Sequence, residues 1–204
     1  MTPRLLLATA NAGKVRELVP LLDGLGYTVT SLHDHAAVRL PPEGETSYRE
    51  NALEKARAAA RAVPTAVTLG DDSGLEVDAL EGRPGVASAR YGGAGLSDGE
   101  RTRRLLGELG PTPARGARFR CVLALVAPWG EEALVEGTVE GVLTDAPRGT
   151  RGFGYDPIFL IPALDRTFGE LPDAEKDRLS HRARAVAAAR PILADWATRL
   201  RQAG

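Results

Sequence analysis

Leu5-Leu6-Leu7-Ala8-Thr9-Ala10-Asn11-Ala12-Gly13-Lys14 opens with a short apolar run that reads as a buried strand, stopped by polar Asn11 and by Gly13. A helix follows over about 14–22, with Pro20 kinking it or marking its end. Working outward, 27–32 reads as a second strand, and 33–45 is irregular because Pro41, Pro42 and Gly44 break any regular element. Ser47 and Glu50 then fit a capping box. The helix they open places Leu53, Ala56, Ala60 and Val63 on one apolar face, with Asn51 and Lys55 together on another. Strand character returns over 65–69 and, at period two, over 75–79, with 70–74 between them as an acidic turn. A Gly-, Ser- and Arg-rich loop over 82–95, a helix over 99–109 and a hairpin of 119–127 with 133–144 follow. The stretch 149–162 contains a loop over 152–157 that leads into a short strand at 158–161, and a long helix over about 180–201, with Pro191 as a kink point, is the last element. Strands and helices alternate early while hairpins come late, so the fold class is α/β, a mixed sheet flanked by helices.

The 204 residues suit one domain, or two lobes around one core. Apolar residues make up 43% and charged residues 26%, an ordinary globular balance that excludes wholesale disorder. The longest apolar run, 121–127, is far short of the roughly 18 residues of a membrane helix, and 5–8 is too short for a signal-peptide core. One cysteine excludes an intramolecular disulfide and a cysteine-cluster zinc site. A net charge of −1 argues against sequence-independent nucleic-acid binding. The class that remains is soluble and cytoplasmic, with no nucleic-acid or membrane partner. Only 3 of the 26 Lys and Arg residues are lysine, and Lys14, Lys55 and Lys176 each fall in a segment marked on other grounds. Lysine is a compact point charge suited to a phosphate oxygen, and arginine does not replace it neutrally.

Five segments could carry chemistry. Residues 9–14 join a strand to a helix, where backbone N–H groups and Lys14 suit an anion; an ordinary strand–helix turn explains them as well. This is not a Walker A loop, since Ala8 and Val15 stand where Gly and Ser or Thr are needed. Asp71-Asp72-Ser73-Gly74 reads equally as hard-oxygen ligands for Mg²⁺ with a proton acceptor, or as a polar turn. Glu43 and Glu45 matter only if the fold brings them to Asp72. The loop Phe153-Gly154-Tyr155-Asp156 could stack on a nucleobase or pack in the core. Lys176 with Ser180-His181-Arg182 is a cationic cluster at a helix start. A Ser73–His181 hydrolase triad is disfavoured, because Asp71 stands where the first glycine of a nucleophile elbow belongs.

In order and wording, these segments are similar to the Ham1-like inosine/xanthosine triphosphate pyrophosphatase family. The match runs through 8–14, Glu50-Asn51-Ala52 with Lys55-Ala56, 71–80, Pro84-Gly85-Val86, Ser88-Ala89-Arg90-Tyr91, 152–159 and Ser180-His181-Arg182. The resemblance implies an elongated two-lobed fold formed by the single domain 1–204, with a long mixed sheet and a nucleotide cleft between the lobes. It further implies a homodimer, Mg²⁺ dependence and cleavage of ITP, dITP and XTP to monophosphate and pyrophosphate, removing noncanonical purine nucleotides from the pool. Carried over, Thr9, Ala10, Asn11, Ala12, Gly13 and Lys14 would hold the triphosphate. Asp72 would be proton acceptor and metal ligand, with Glu43 as the other metal-binding acid and Glu45 as its substitute. Ser73, Phe153, Gly154, Tyr155, Asp156, Lys176, His181 and Arg182 would contact the rest of the nucleotide. Glu81 and Asp177 depart from the usual Gly and Asn. The rival readings are a pyrophosphatase for other modified nucleotides and a nucleotide-binding module without turnover.

Overall fold

The computed structural model describes residues 2–203. Its strands are β1 (Arg4–Ala8), β2 (Thr28–Ser31), β3 (Val67–Val77), β4 (Gly116–Val126), β5 (Glu132–Leu143), β6 (Phe159–Ile161) and β7 (Arg166–Thr167). Its helices are α1 (Ala12–Leu21), α2 (Tyr48–Ala62), α3 (Asp98–Leu109), α4 (Asp173–Leu179) and α5 (His181–Ala203). The strands form one seven-stranded sheet in the order β2-β1-β3-β4-β5-β6-β7. β1 runs parallel to both β2 and β3, whereas β5, β6 and β7 pair antiparallel, so the sheet is mixed as expected.

The chain divides into two compact units, one holding the residues up to Asp72, Cys121–Gly137 and Arg182 onward, the other Ser73–Arg120 and Thr138–His181. In the first unit the period of β1 sorts its side chains between two cores. Leu5 and Leu7 join Leu18, Val67, Leu69, Leu123 and Trp196, while Leu6 and Ala8 join Val38, Ala59 and Ala66. In the second unit a separate core gathers Leu75, Val77, Leu105, Phe119, Phe159 and Phe168.

The order β2-β1-β3 has a functional consequence. The connections leaving β1 and entering β3 approach from opposite sides, so β1 and β3 flank a topological switch point, where open α/β sheets bind ligands beyond the strand ends. Pairing of β1 with β3 ends at Ala8 opposite Gly70. Residues 9–14 leave β1 at that level, and Asp71 and Asp72 follow immediately on β3.

Three sequence expectations are corrected. Residues 70–74 are not a turn between two strands; they lie inside β3, one continuous strand of 11 residues. Both aspartates are buried there and each meets its own cations, so the acids that suggested a solvated turn are satisfied within the sheet. The buried face of α2 is also different: Tyr48, Asn51, Ala52, Lys55, Ala56 and Ala59 point inward, and Leu53, Ala60 and Val63 are only partly covered. Asn51 and Lys55 therefore sit on the packed side, which apolar periodicity cannot reveal. Finally, α4 and the two-residue β7 have no counterpart in the sequence reading. Ser47 caps α2 as expected, accepting the Glu50 N–H at 3.2 Å.

Candidate active site

Alternation along β3 sends Asp71 and Asp72 to opposite faces of the sheet. Asp71 continues the face of Val67 and Leu69, and Asp72 continues that of Thr68 and Gly70. Gly70 is the contact point for α2: a Cβ there would collide with the Ala52 carbonyl oxygen and sit 2.9 Å from the Ala56 nitrogen. The Thr68 hydroxyl donates to the Ala56 carbonyl at 2.8 Å. This close approach carries the polar part of α2 over Asp72.

Asn51 then joins three pieces of chain. Its Nδ2 donates to Asp72 Oδ2 at 2.9 Å and to the Gly44 carbonyl at 3.1 Å, and its Oδ1 accepts the Gly44 N–H at 2.7 Å. Clamping Gly44 brings the neighbouring Glu43 inward. Lys55 Nζ lies 2.5 Å from Glu43 Oε1 and 3.6 Å from Asp72 Oδ1. Glu45 is exposed. Of the two loop glutamates, Glu43 is the one the fold places beside Asp72. Burial pushes the Asp72 carboxyl above the ordinary aspartate value and Glu43 adds to the rise, against the opposing pull of Lys55, Lys14 and Asn51.

On the other face Asp71 is fully buried. Its carboxylate meets Lys14 Nζ, Arg182 Nε at 2.9 Å and Cys121 Sγ at 3.3 Å. Burial alone would raise this carboxyl, but Arg182 and Lys14 outweigh it and hold the group well below the usual carboxylate range. Burial and the neighbouring Asp71 charge push the Cys121 thiol well up, which keeps it protonated.

The loop after β1 is ordered by its own side chains. Thr9 Oγ1 accepts the Asn11 N–H at 3.2 Å, and Asn11 caps α1 by accepting the Lys14 N–H at 3.1 Å. Ala10, Asn11 and Ala12 are exposed at the helix N-terminus, and the Lys14 ammonium is held by Asp71.

The second unit holds the aromatic segment. Gly152 has φ +74, and the Asp156 carboxylate occupies the place a Cβ would take, so only glycine fits. Asp156 accepts the Phe153 N–H at 2.8 Å and pairs with Lys176, both partners being buried. Lys176 Nζ lies 5.3 Å from the centre of the Phe153 ring, a cation–π distance. The Gly154 N–H donates to Asp98 at 2.7 Å, and Tyr155 is buried, its hydroxyl donating to the Ser88 carbonyl at 3.0 Å. The His181 ring stacks on Phe119 at 4.7 Å between centroids. Ser73 is partly buried at the start of this unit.

In the first unit, then, residues 9–14, Glu43, Asp72 and Arg182 gather around β3, and in the second Phe153, Asp156, Lys176 and His181 gather around the 152–156 loop. Arg182 does not join His181 as a paired donor: its guanidinium is committed to Asp71 and, through Nη1, to Glu17. Sequence reasoning left out Asn51, Lys55 and Glu17 as site residues. Lys55 had a signal, being one of three lysines; Glu17 had none.

Among the described residues no three His, Cys, Asp or Glu side chains converge as a cluster that could hold a metal ion. Glu43 and Asp72, sharing the Lys55 ammonium, nevertheless supply the kind of hard-oxygen pair that suits Mg²⁺, which takes one or two carboxylates and completes its shell with water and phosphate.

A family model described as the Ham1 family matches residues 5–192. A dITP/XTP pyrophosphatase of Gloeobacter violaceus is 52% identical over 182 residues, 89% of this chain and 90% of that protein. One of Geobacter sulfurreducens is 47% identical over 186 residues, 90% and 93% of the two chains. Among solved structures, a Ham1 protein of Staphylococcus aureus superposes with a TM-score of 0.82 at 37% identity, covering 93% of this chain and 97% of that one.

Proposed function

The chain belongs to the Ham1 family, and from that premise and the site geometry we propose that it hydrolyses dITP, ITP and XTP to the monophosphate and pyrophosphate. The observation that carries the reading is the division of labour between adjacent aspartates on β3. Asp72 has a raised carboxyl beside Glu43, Lys55 and Asn51, while Asp71 is neutralised on the opposite face.

Water attacks the α-phosphorus, the bond from that phosphorus to the α,β-bridging oxygen breaks, and pyrophosphate leaves with the electron pair. Asp72 takes the proton of the attacking water; a base is best placed when its proton affinity lies nearer the working pH, and burial moves Asp72 that way. Asn51 fixes the carboxylate through Oδ2, leaving Oδ1 toward Lys55. Phosphoryl transfer demands positioning and charge neutralisation more than covalent chemistry. Lys14 and the N-terminus of α1 supply positive potential for the departing pyrophosphate. Glu43 and Asp72 would hold Mg²⁺, which when bound neutralises phosphate charge and lowers the pKa of water.

In the second unit, Phe153 offers a ring face for the purine and Lys176 a fixed cation. Hypoxanthine and xanthine carry oxygen at C6 where adenine carries an amine, so a buried donor discriminates: an unmatched buried polar group costs about 1–3 kcal/mol. The Phe153 and Gly154 N–H groups are bonded to Asp156 and Asp98, and the buried His181, stacked on Phe119, is the proposed donor. The proposal includes the homodimer and the cytoplasmic location that the resemblance implies; among the described residues no helix is long and apolar enough to cross a membrane.

The test is pyrophosphate release from ITP, XTP, dITP, ATP and GTP, with and without Mg²⁺, for the wild type and Asp72→Asn. Mg²⁺-dependent release from the first three, with kcat falling by about 10²–10⁴ in the variant, is the expected result. Binding of ITP without turnover in the wild type would instead identify a nucleotide-binding module.

A further inference from the structure

The reaction above employs Asp72 and gives its neighbour no task. Asp71 has no solvent exposure, and its carboxylate is surrounded by Lys14, Arg182 and Cys121. No water could reach it for activation, and its side chain points away from Asp72 across the sheet. Lys14 holds Asp71 twice, through the carboxylate and through the Asp71 carbonyl, 3.4 Å from Nζ. Arg182, at the start of α5, extends from Asp71 to Glu17, which lies on α1 one turn beyond Lys14. Lys14, Asp71, Arg182 and Glu17 thus form a charge-balanced chain that ties α1 to β3 at two points.

From this geometry we propose that Asp71 is a positioning residue that acts through Lys14, holding its ammonium where the phosphate chain arrives and, with Arg182 and Glu17, fixing the first turns of α1 against β3. Lysine is a flexible point charge on four methylenes. Bound to one oxygen alone it would sample many positions; held at the carboxylate and the carbonyl of one residue it is set in advance, and such pre-organisation is what phosphoryl transfer rewards. The inference rests on the reading of Lys14 as a phosphate-binding residue.

A double-mutant cycle separates the possibilities. Asp71→Asn, Lys14→Met and the double variant are compared with the wild type for KM and kcat on ITP, for Kd of inorganic pyrophosphate by calorimetry, and for Tm. Each single change is expected to weaken pyrophosphate binding about tenfold, with the double variant within about threefold of Lys14→Met alone, because coupled residues are not additive. Losses that multiply to about a hundredfold, the behaviour of independent roles, overturn the proposal, whether Asp71 then acts in chemistry or only as scaffolding. If Asp71→Asn does not fold, Glu17→Gln takes its place in the cycle. Its loss, about threefold in the wild-type background, should vanish beside Lys14→Met. Should Lys14→Met bind pyrophosphate as the wild type does, the phosphate reading of Lys14 falls and this inference with it; if that variant is weakened but the losses multiply, only this inference falls.

Discussion

Replacing Gly70 by alanine adds one methyl group where α2 presses against β3. Gly70 is not in the left-handed region, so the change introduces no backbone strain. Its effect is steric: the new Cβ would overlap the Ala52 carbonyl oxygen and stand 2.9 Å from Ala56 N and 3.1 Å from Ala52 C. Relief requires α2 to recede by on the order of 1 Å, given that carbon atoms pack best at about 3.5–4.0 Å. Asn51 and Lys55 ride on that helix, so the 2.9 Å bond from Asn51 to Asp72 opens beyond hydrogen-bonding range.

Overpacking costs about 1–3 kcal/mol, and loosening a hydrogen bond to a carboxylate adds about 1.5–3 kcal/mol. Against these, alanine stiffens the unfolded chain by about 0.4–1 kcal/mol. The net loss is about 1.5–5.5 kcal/mol, or a Tm lower by about 3–20 °C for a chain of this size. Calorimetry reads that shift. Turnover on ITP should fall about tenfold to a hundredfold, the penalty for a 1 Å misplacement of catalytic groups. Gly107→Ala on α3 is the control: nothing lies within 4 Å of its added Cβ, so helix propensity should stabilise it by up to about 1 kcal/mol. A Gly70→Ala protein that matched the control in Tm and the wild type in kcat would refute the packing argument.

Two more perturbations follow from the buried charges. Because burial raises Asp72, its base form fills only above the ordinary aspartate range near ~3.9; the acid limb of kcat/KM should lie above that range and move to lower pH as Mg²⁺ increases, since a cation favours the ionised form. The same residues set opposite trends in stability: the contribution of Asp71, whose carboxyl is depressed, is present above its unfolded value and lost as pH falls through the folded one, whereas that of Asp72 declines as pH rises through its raised value, both readable in Tm against pH. In the second unit, Asp156→Asn removes the counter-charge of buried Lys176 and should cost about 3–5 kcal/mol, with KM for ITP rising; an unchanged denaturation midpoint would show that the pair does not hold the 152–156 loop.

The α/β class was legible because β1 is a short continuous apolar run stopped by polar residues and because Ser47 with Glu50 announces the start of α2. The acidic segment was not, because a turn and a strand crossing a charged region share a composition; what distinguishes them is the supply of cations from α1, α2 and α5, and no local pattern announces it. The same holds for α2, whose inward face includes Asn51 and Lys55. Periodicity assigns polar residues to solvent, and it fails where a helix brings polar groups to a site. Family wording identified Asp72, Glu43 and Lys14 as candidates together. That Arg182 is tied to Asp71 and Glu17, residues 111 and 165 positions away, depends on tertiary structure alone.

The economy of lysine in this chain has a practical side. Lys55 and Lys176 are each 4% exposed, and the Lys14 side chain reaches 11%, so every ε-amine is withdrawn from bulk solvent into an ion pair. Among the described lysine and arginine residues, the exposed cations are guanidinium groups. Amine-directed acylating reagents should therefore spare most of the folded protein, and any slow lysine adduct that forms under native conditions would report on Lys14, with pyrophosphate as the natural protecting agent.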